Sequence, residues 1–284
     1  MWNYYLYKLG QLVSQSVPKK IAYKIAVFCS DVHFVFADKD RAEVFANLQA
    51  IFPEKSREEL LNIRIQIFRN FAKYLVDFFR FEELDLKYIK DKVRVENINY
   101  LDEALKKGKG VVLLSAHIGN WELGGVALAL MGYPIYAVAL PHKDRRVNDF
   151  FNAQRQRKGM TVISFGKAVR SCLKLLSENK TVALVGDKDF SREGGVVTEF
   201  FGRPTYLPKG PAAFALKNGS AVIPAFLLRN SDDTFVLKIC GPVDCSSGTI
   251  EGITYRCKEA IENVVREHPG QWYMFKKFWI QDRS

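Results

Sequence analysis

Several patterns are missing from this chain, and each absence narrows what it can be. No pair of cysteines forms C-x-x-C, and the five cysteines, Cys29, Cys172, Cys240, Cys245 and Cys257, are odd in number. That argues for reduced thiols rather than a disulfide framework. Cys240, Cys245 and Cys257 have no histidine or fourth cysteine at ligand spacing, so no metal site is expected, and small buried or half-buried thiols are. No run reaches the roughly 20 apolar residues of a spanning helix. The nearest approach, 21–37, is interrupted by Lys24, Asp31 and His33 and reads as a core or interfacial helix. The first dozen residues lack the basic start, apolar core and small-residue cleavage site of a secretory leader. There is no G-x-S-x-G elbow for a serine nucleophile, and no internal repeat, low-complexity tract or long linker.

What is present is a globular composition. Of 284 residues, 48% are hydrophobic and 26% charged, enough for a substantial core. The 42 Lys and Arg against 31 Asp and Glu leave +11. Such a surface attracts nucleic acid, anionic lipid or an acidic carrier protein. Aromatics at 13% beside these bases suit a membrane interface. They also suit single-stranded nucleic acid, but no RNP-type, helix-turn-helix or zinc signature appears, so no nucleic-acid partner is expected.

Residues 1–90 read as helices, with apolar positions at helical spacing over 39–51 and 56–79. Ser56 is the expected N-cap before Glu58 and Glu59. Beyond Tyr88, β-rich runs at 111–115, 135–140, 161–164, 181–185, 221–228 and 235–240 alternate with helical stretches at 121–131, 145–158, 168–177, 208–218 and 252–268. This alternation predicts an α/β fold: a mixed, largely parallel sheet flanked by helices. The expected division is a helical N-terminal cap, 1–90, packed on one α/β core, 91–284.

The densest chemistry is Ser115-Ala116-His117-Ile118-Gly119-Asn120-Trp121-Glu122. A buried strand ends, a turn follows, and a helix begins with Glu122 in its first turn. An imidazole and a carboxylate thus meet at the carboxyl end of a strand, where open α/β sheets bind ligands. A histidine steadied by a carboxylate is a general base for a hydroxyl. The expectation is that Glu122 accepts a hydrogen bond from the imidazole and stabilises its charged form, while Asn120 or a backbone N–H of the turn serves a developing oxyanion.

The motif resembles the H-x4-D/E element of the glycerolipid acyltransferase superfamily, in the branch of late lipid A and mannoside-lipid acyltransferases. The resemblance spans nearly the whole chain. It includes Asn47-Leu48 and Phe52-Pro53, Gly186-Asp187-Lys188-Asp189, Gly194-Gly195 through Glu199-Phe200-Phe201-Gly202-Arg203-Pro204, Gly210-Pro211-Ala212, Ile223-Pro224, and Pro269-Gly270-Gln271-Trp272-Tyr273. It implies a membrane-associated O-acyltransferase without a cofactor. The donor would be an acyl thioester on acyl carrier protein or coenzyme A, the acceptor a hydroxyl of an anionic glycolipid such as a lipid A precursor. The implied place is the cytoplasmic face of the bacterial inner membrane, held peripherally or monotopically. Rival readings are acylation of a lysophospholipid or a phosphatidylinositol mannoside, and a nucleic-acid- or lipid-binding protein without catalysis.

Beside His117 and Glu122, the resemblance makes an arginine before a glycine functional. Arg155 or Arg157, before Gly159, is that residue, as a fork for phosphate; the bland alternative is a solvated helix face. Asp187 and Asp189 are expected to order a loop and position the acceptor. Glu199 is expected near the catalytic histidine and Arg203 near phosphate. The terminal Trp272-Tyr273-Met274-Phe275-Lys276-Lys277-Phe278-Trp279 is either ordinary packing or a headgroup-level belt.

Overall fold

The computed structural model describes residues 2–164, 166, 168–188 and 195–280. Four helices come first: α1 (Trp2–Ser16), α2 (Lys19–Phe36), α3 (Asp38–Ile51) and α4 (Arg57–Phe79). Ser56 begins α4 as expected. Its Oγ accepts from the Glu59 N–H while the Glu59 carboxylate accepts from the Ser56 N–H, a capping box. Then follow α5 (Leu86–Lys92), β1 (Val93–Glu96), α6 (Asn99–Lys106), β2 (Val111–Ser115), α7 (Trp121–Leu130), β3 (Ile135–Ala139), α8 (Arg145–Gln156), β4 (Thr161–Ser164), α9 (Ala168–Ser177) and β5 (Thr181–Val185). The chain closes with β6 (Gly195–Phe200), β7 (Arg203–Pro208), α10 (Gly210–Asn218), β8 (Ala221–Arg229), β9 (Phe235–Ile239) and α11 (Ile250–Glu267).

Seven strands form one sheet in the order β1-β9-β8-β2-β5-β3-β4. The neighbours of β2, β5, β3 and β4 are all parallel, as expected for helical crossovers. The mixed element is β9, which turns back against β8 through a tight link in which the Asn230 N–H donates to the Thr234 carbonyl. A separate hairpin pairs β6 with β7. The sheet is buried on both sides, so β2 alternates its apolar side chains between two cores. Val112 and Leu114 join the core under α9 to α11 and the C-terminal segment. Val111 and Leu113 join the core under α5 to α8. A continuous apolar run is what such a two-sided strand requires.

The outer stripes of α1 and α2 are not covered. Tyr5, Leu6, Leu9 and Leu12 on α1, and Ile21, Ile25, Phe28, Val32, Val35 and Phe36 on α2, recur at helical spacing and are all exposed, with Phe28 at 68% and Phe36 at 79%. Ala22, Tyr23 and Ser30 face inward from the other side of α2. Among the described residues, no helix is long and apolar enough to cross a membrane. Cys172 and Cys257 are buried, which pushes their thiols up to about 11 and about 12. Cys240 and Cys245 are half-buried, and Cys29 is exposed.

Candidate active site

The site follows from strand register. β2 and β5 lie side by side and parallel, with Ser115 opposite Val185. Two residues further along each strand stand His117 and Asp187. The imidazole Nδ1 lies 2.8 Å from Asp187 Oδ1, and the His117 backbone N–H donates to Asp187 Oδ2 at 3.0 Å. The indole Nε1–H of Trp272 donates to the same Oδ2 at 3.0 Å. Asp187 is completely buried, and the His117 side chain retains 28% exposure, so the acid is sealed while the ring still reaches solvent.

Burial opposes charge on both groups, and their mutual attraction outweighs it. The imidazole is held above its ordinary value by the Asp187 carboxylate, which overrides desolvation. The Asp187 carboxyl is held below its ordinary value, despite desolvation, by the facing imidazole and the hydrogen bonds it accepts. With Nδ1–H donating to Asp187, the basic lone pair belongs to Nε2; this tautomer is assigned from the hydrogen-bond network.

The turn carrying His117 is pinned on several sides. Gly119 has φ +60, and a Cβ there would lie 2.0 Å from the Leu227 carbonyl oxygen, so only glycine fits. The Gly119 N–H donates to the Gln271 carbonyl at 2.9 Å, the Asn120 N–H to Leu227 at 2.8 Å, and the Tyr273 N–H to the His117 carbonyl at 2.8 Å. The segment around Pro269–Gln271 and Trp272 therefore braces the turn. Trp272, Tyr273, Met274 and Phe278 are buried, so this segment is packing rather than a headgroup belt.

The expected bond between Glu122 and the imidazole is not made. Glu122 sits in the first turn of α7, buried, and points toward α8, where Arg155 takes both its oxygens; Arg155 Nε lies 2.8 Å from Oε2. A buried carboxylate needs a counter-charge, and the fork of Arg155 supplies it. Glu122 still acts on the ring through space, raising its affinity for a proton. Arg155 is consequently committed within the protein rather than open for phosphate.

Arg157 is an exposed surface residue paired with Glu82 at 3.2 Å. The Asn120 side chain is fully buried: Oδ1 accepts from the Leu123 N–H and Nδ2 donates to Asp77, both at 3.1 Å. It caps α7 and spends an amide N–H on Asp77. Glu199 and Arg203 lie on the β6–β7 hairpin with exposed side chains, and neither makes a hydrogen bond or ion pair with His117 among the described residues. Asp189 lies outside the described residues.

The sequence points Asp187 to loop ordering and acceptor positioning, and does not reveal its place on the imidazole. Nor does it reveal the part of Asp77 and Gln271. The signal for Asp187 was available: parallel strands ending in Ser115 and Val185, each followed two residues later by a polar group. Only the pairing of β2 with β5 turns that likeness into contact.

A histidine paired with a buried acid at the carboxyl edge of a parallel sheet is an arrangement able to accept a proton. A family model described as "Bacterial lipid A biosynthesis acyltransferase" matches residues 1–281, and the chain belongs to that family and is an acyltransferase. It is 29% identical over 219 residues, 76% of this chain and 71% of the other, to the phosphatidylinositol mannoside acyltransferase of Mycolicibacterium smegmatis. It is 23% identical over 239 residues, 83% and 74% of the two chains, to a lipid A biosynthesis acyltransferase of Haemophilus influenzae. The solved 1-acyl-sn-glycerophosphate acyltransferase of Thermotoga maritima covers 88% of this chain and 99% of its own at 17% identity, with a TM-score of 0.42, too loose a likeness to bear on the site.

Proposed function

We propose that this protein transfers a fatty acyl chain from a thioester, on acyl carrier protein or coenzyme A, to a hydroxyl of an anionic glycolipid such as a lipid A precursor. The observation that carries the reading is the half-buried imidazole of His117 on the sealed carboxylate of Asp187. An alcohol is a weak nucleophile at neutral pH. His117 Nε2 takes its proton as the oxygen attacks the thioester carbonyl. Asp187 fixes the ring and stabilises the imidazolium. Collapse of the tetrahedral intermediate expels the thiolate, which receives the proton back from the imidazolium, and no acyl-enzyme forms. Glu122 assists at one remove, as an anchored negative charge near the ring.

The acceptor has a second reading. The relatives named for phosphatidylinositol mannoside acylation are 28–29% identical to this chain, against 23–26% for those named for lipid A biosynthesis. That difference favours a mannose-bearing acceptor as the alternative. The setting is the cytoplasmic face of a bacterial inner membrane. The apolar stripes of α1 and α2 lie in the interface plane, and the +11 charge adds attraction to anionic headgroups.

Purified enzyme offered acyl carrier protein and coenzyme A donors, with lipid A precursor, mannoside lipid and lysophospholipid acceptors, should give an acylated glycolipid by mass spectrometry. A product only from lysophospholipid, or none from any acceptor, would overturn this reading.

A further inference from the structure

A second buried carboxylate stands behind the catalytic turn. Asp77, near the end of α4, is 2% exposed and receives four partners from three other parts of the fold. Lys19 and Tyr23 reach it from α2, Lys19 Nζ at 2.9 Å and the Tyr23 hydroxyl as a donor. Arg229, at the end of β8, brings its guanidinium. The fourth partner is Asn120 Nδ2, at 3.1 Å, from the turn between His117 and Glu122.

Arg229 grips the same turn by another route. The Gln271 side chain accepts from the Arg229 N–H and donates to its carbonyl, each at 2.9 Å, and the Gln271 carbonyl accepts from Gly119. The turn from His117 to Asn120 is thus held from two sides, by the Asp77 cluster through Asn120 and by the Arg229 backbone through Gln271. Stability alone does not account for the cluster, because well-packed apolar groups usually serve as well as buried ion pairs.

We propose that Asp77 is a positioning residue for acyl transfer. Its carboxylate, held by Lys19 and Tyr23 of α2 and by Arg229, orients the Asn120 amide and so fixes the turn that aims the His117 imidazole. A displacement of about 1 Å at a general base costs on the order of a hundredfold in rate, so the clamp acts on kcat rather than on binding. The inference rests on the reading of His117 as the base.

The clean test is Asn120→Ser. Serine keeps an N-cap acceptor for the Leu123 N–H but has no amide to give Asp77. The expected result is a folded protein with kcat lowered about tenfold to a hundredfold and both substrate KM values within about twofold of wild type. Asp77→Asn should show the same loss. Because it strands Lys19 and Arg229 without a counter-charge, Tyr23→Phe serves as the milder second variant, with a smaller fall in kcat. Combining Tyr23→Phe with Asn120→Ser should cost no more than Asn120→Ser alone, since both cut one linkage.

Wild-type kcat in Asn120→Ser, additive losses in the double variant, or a raised KM at unchanged kcat would each overturn the positioning role. Full turnover in His117→Ala would instead remove the base reading on which it rests.

Discussion

The carboxyl edge of the sheet and the outer face of α1 and α2 break the usual distribution of polarity in opposite ways. At the sheet edge, Asp187, Glu122, Arg155, Asp77 and Arg229 are buried, each with a charged or hydrogen-bonding partner. On the two helices, Leu6, Leu9, Leu12, Phe28 and Phe36 stand in water. Buried charge costs desolvation and exposed apolar surface forgoes burial, so neither arrangement improves the folding of an isolated chain. The difference teaches where each region meets its partner. The sheet edge encloses its charges among fixed partners, while the helical face leaves apolar side chains uncovered.

The largest effects should come from breaking the polar side. His117→Ala and Asp187→Asn are each expected to lower kcat at least about a hundredfold with circular dichroism unchanged, the first by removing the base, the second by releasing its tautomer. Near-native turnover in either would separate that residue from the chemistry. Glu122 and Arg155 should fail differently. Replacing one by Ala strands the other's buried charge, an expected loss of about 3–5 kcal/mol in urea unfolding, while replacing both by apolar residues of similar size recovers most of it. If Glu122→Ala leaves stability intact but abolishes turnover, the acid serves the imidazole rather than the fold.

The apolar side should respond in the opposite sense. Phe28→Ser combined with Phe36→Ser is expected to weaken sedimentation with anionic vesicles at least about tenfold, since burying each ring is worth about 1.5–3 kcal/mol. Thermal stability should hardly move, because both rings are already exposed. High salt should weaken binding only in part, by screening the charge contribution. Complete release by salt would mean that the stripes do not insert.

A subtler effect concerns pH. The folded imidazole lies above its ordinary value of 6.5, and only its neutral form accepts a proton. The acid limb of kcat/KM should therefore have its midpoint above 6.5 and move down in Asp187→Asn. In stability the sign is reversed: the contribution of the raised imidazole is complete below the unfolded value and fades as pH rises through the folded one. The smallest effect is expected at Arg157→Lys, which touches only an exposed pair with Glu82 and should stay within about 0.5 kcal/mol in stability and unchanged in either KM.

Much of this was legible in the chain itself. The strands at 111–115, 161–164 and 181–185 have the bounds read from their β-rich runs, and in 111–115 the reason is plain, since a doubly buried apolar run stands out from the polar residues that flank it. Ser56 announced α4 through a capping box that is local in sequence. The short β1 and α5 were missed, since seven residues or fewer carry too little periodicity to stand out. His117 was legible from its strand–turn–helix setting, and Glu122 from its place in the same motif.

What the motif did not contain was the direction of each side chain. From the sequence alone, an α/β acyltransferase site around His117 could be read, because local patterning sets where a strand ends and a turn begins. Only the tertiary structure decided which acid the histidine meets. The register of β2 beside β5 brings Asp187, 70 residues away, within 2.8 Å of the ring, while the helical turn swings the nearby Glu122 away to Arg155. Proximity along the chain fixes neither contact nor charge compensation; those follow from which strands pair, and pairing is a property of the whole fold.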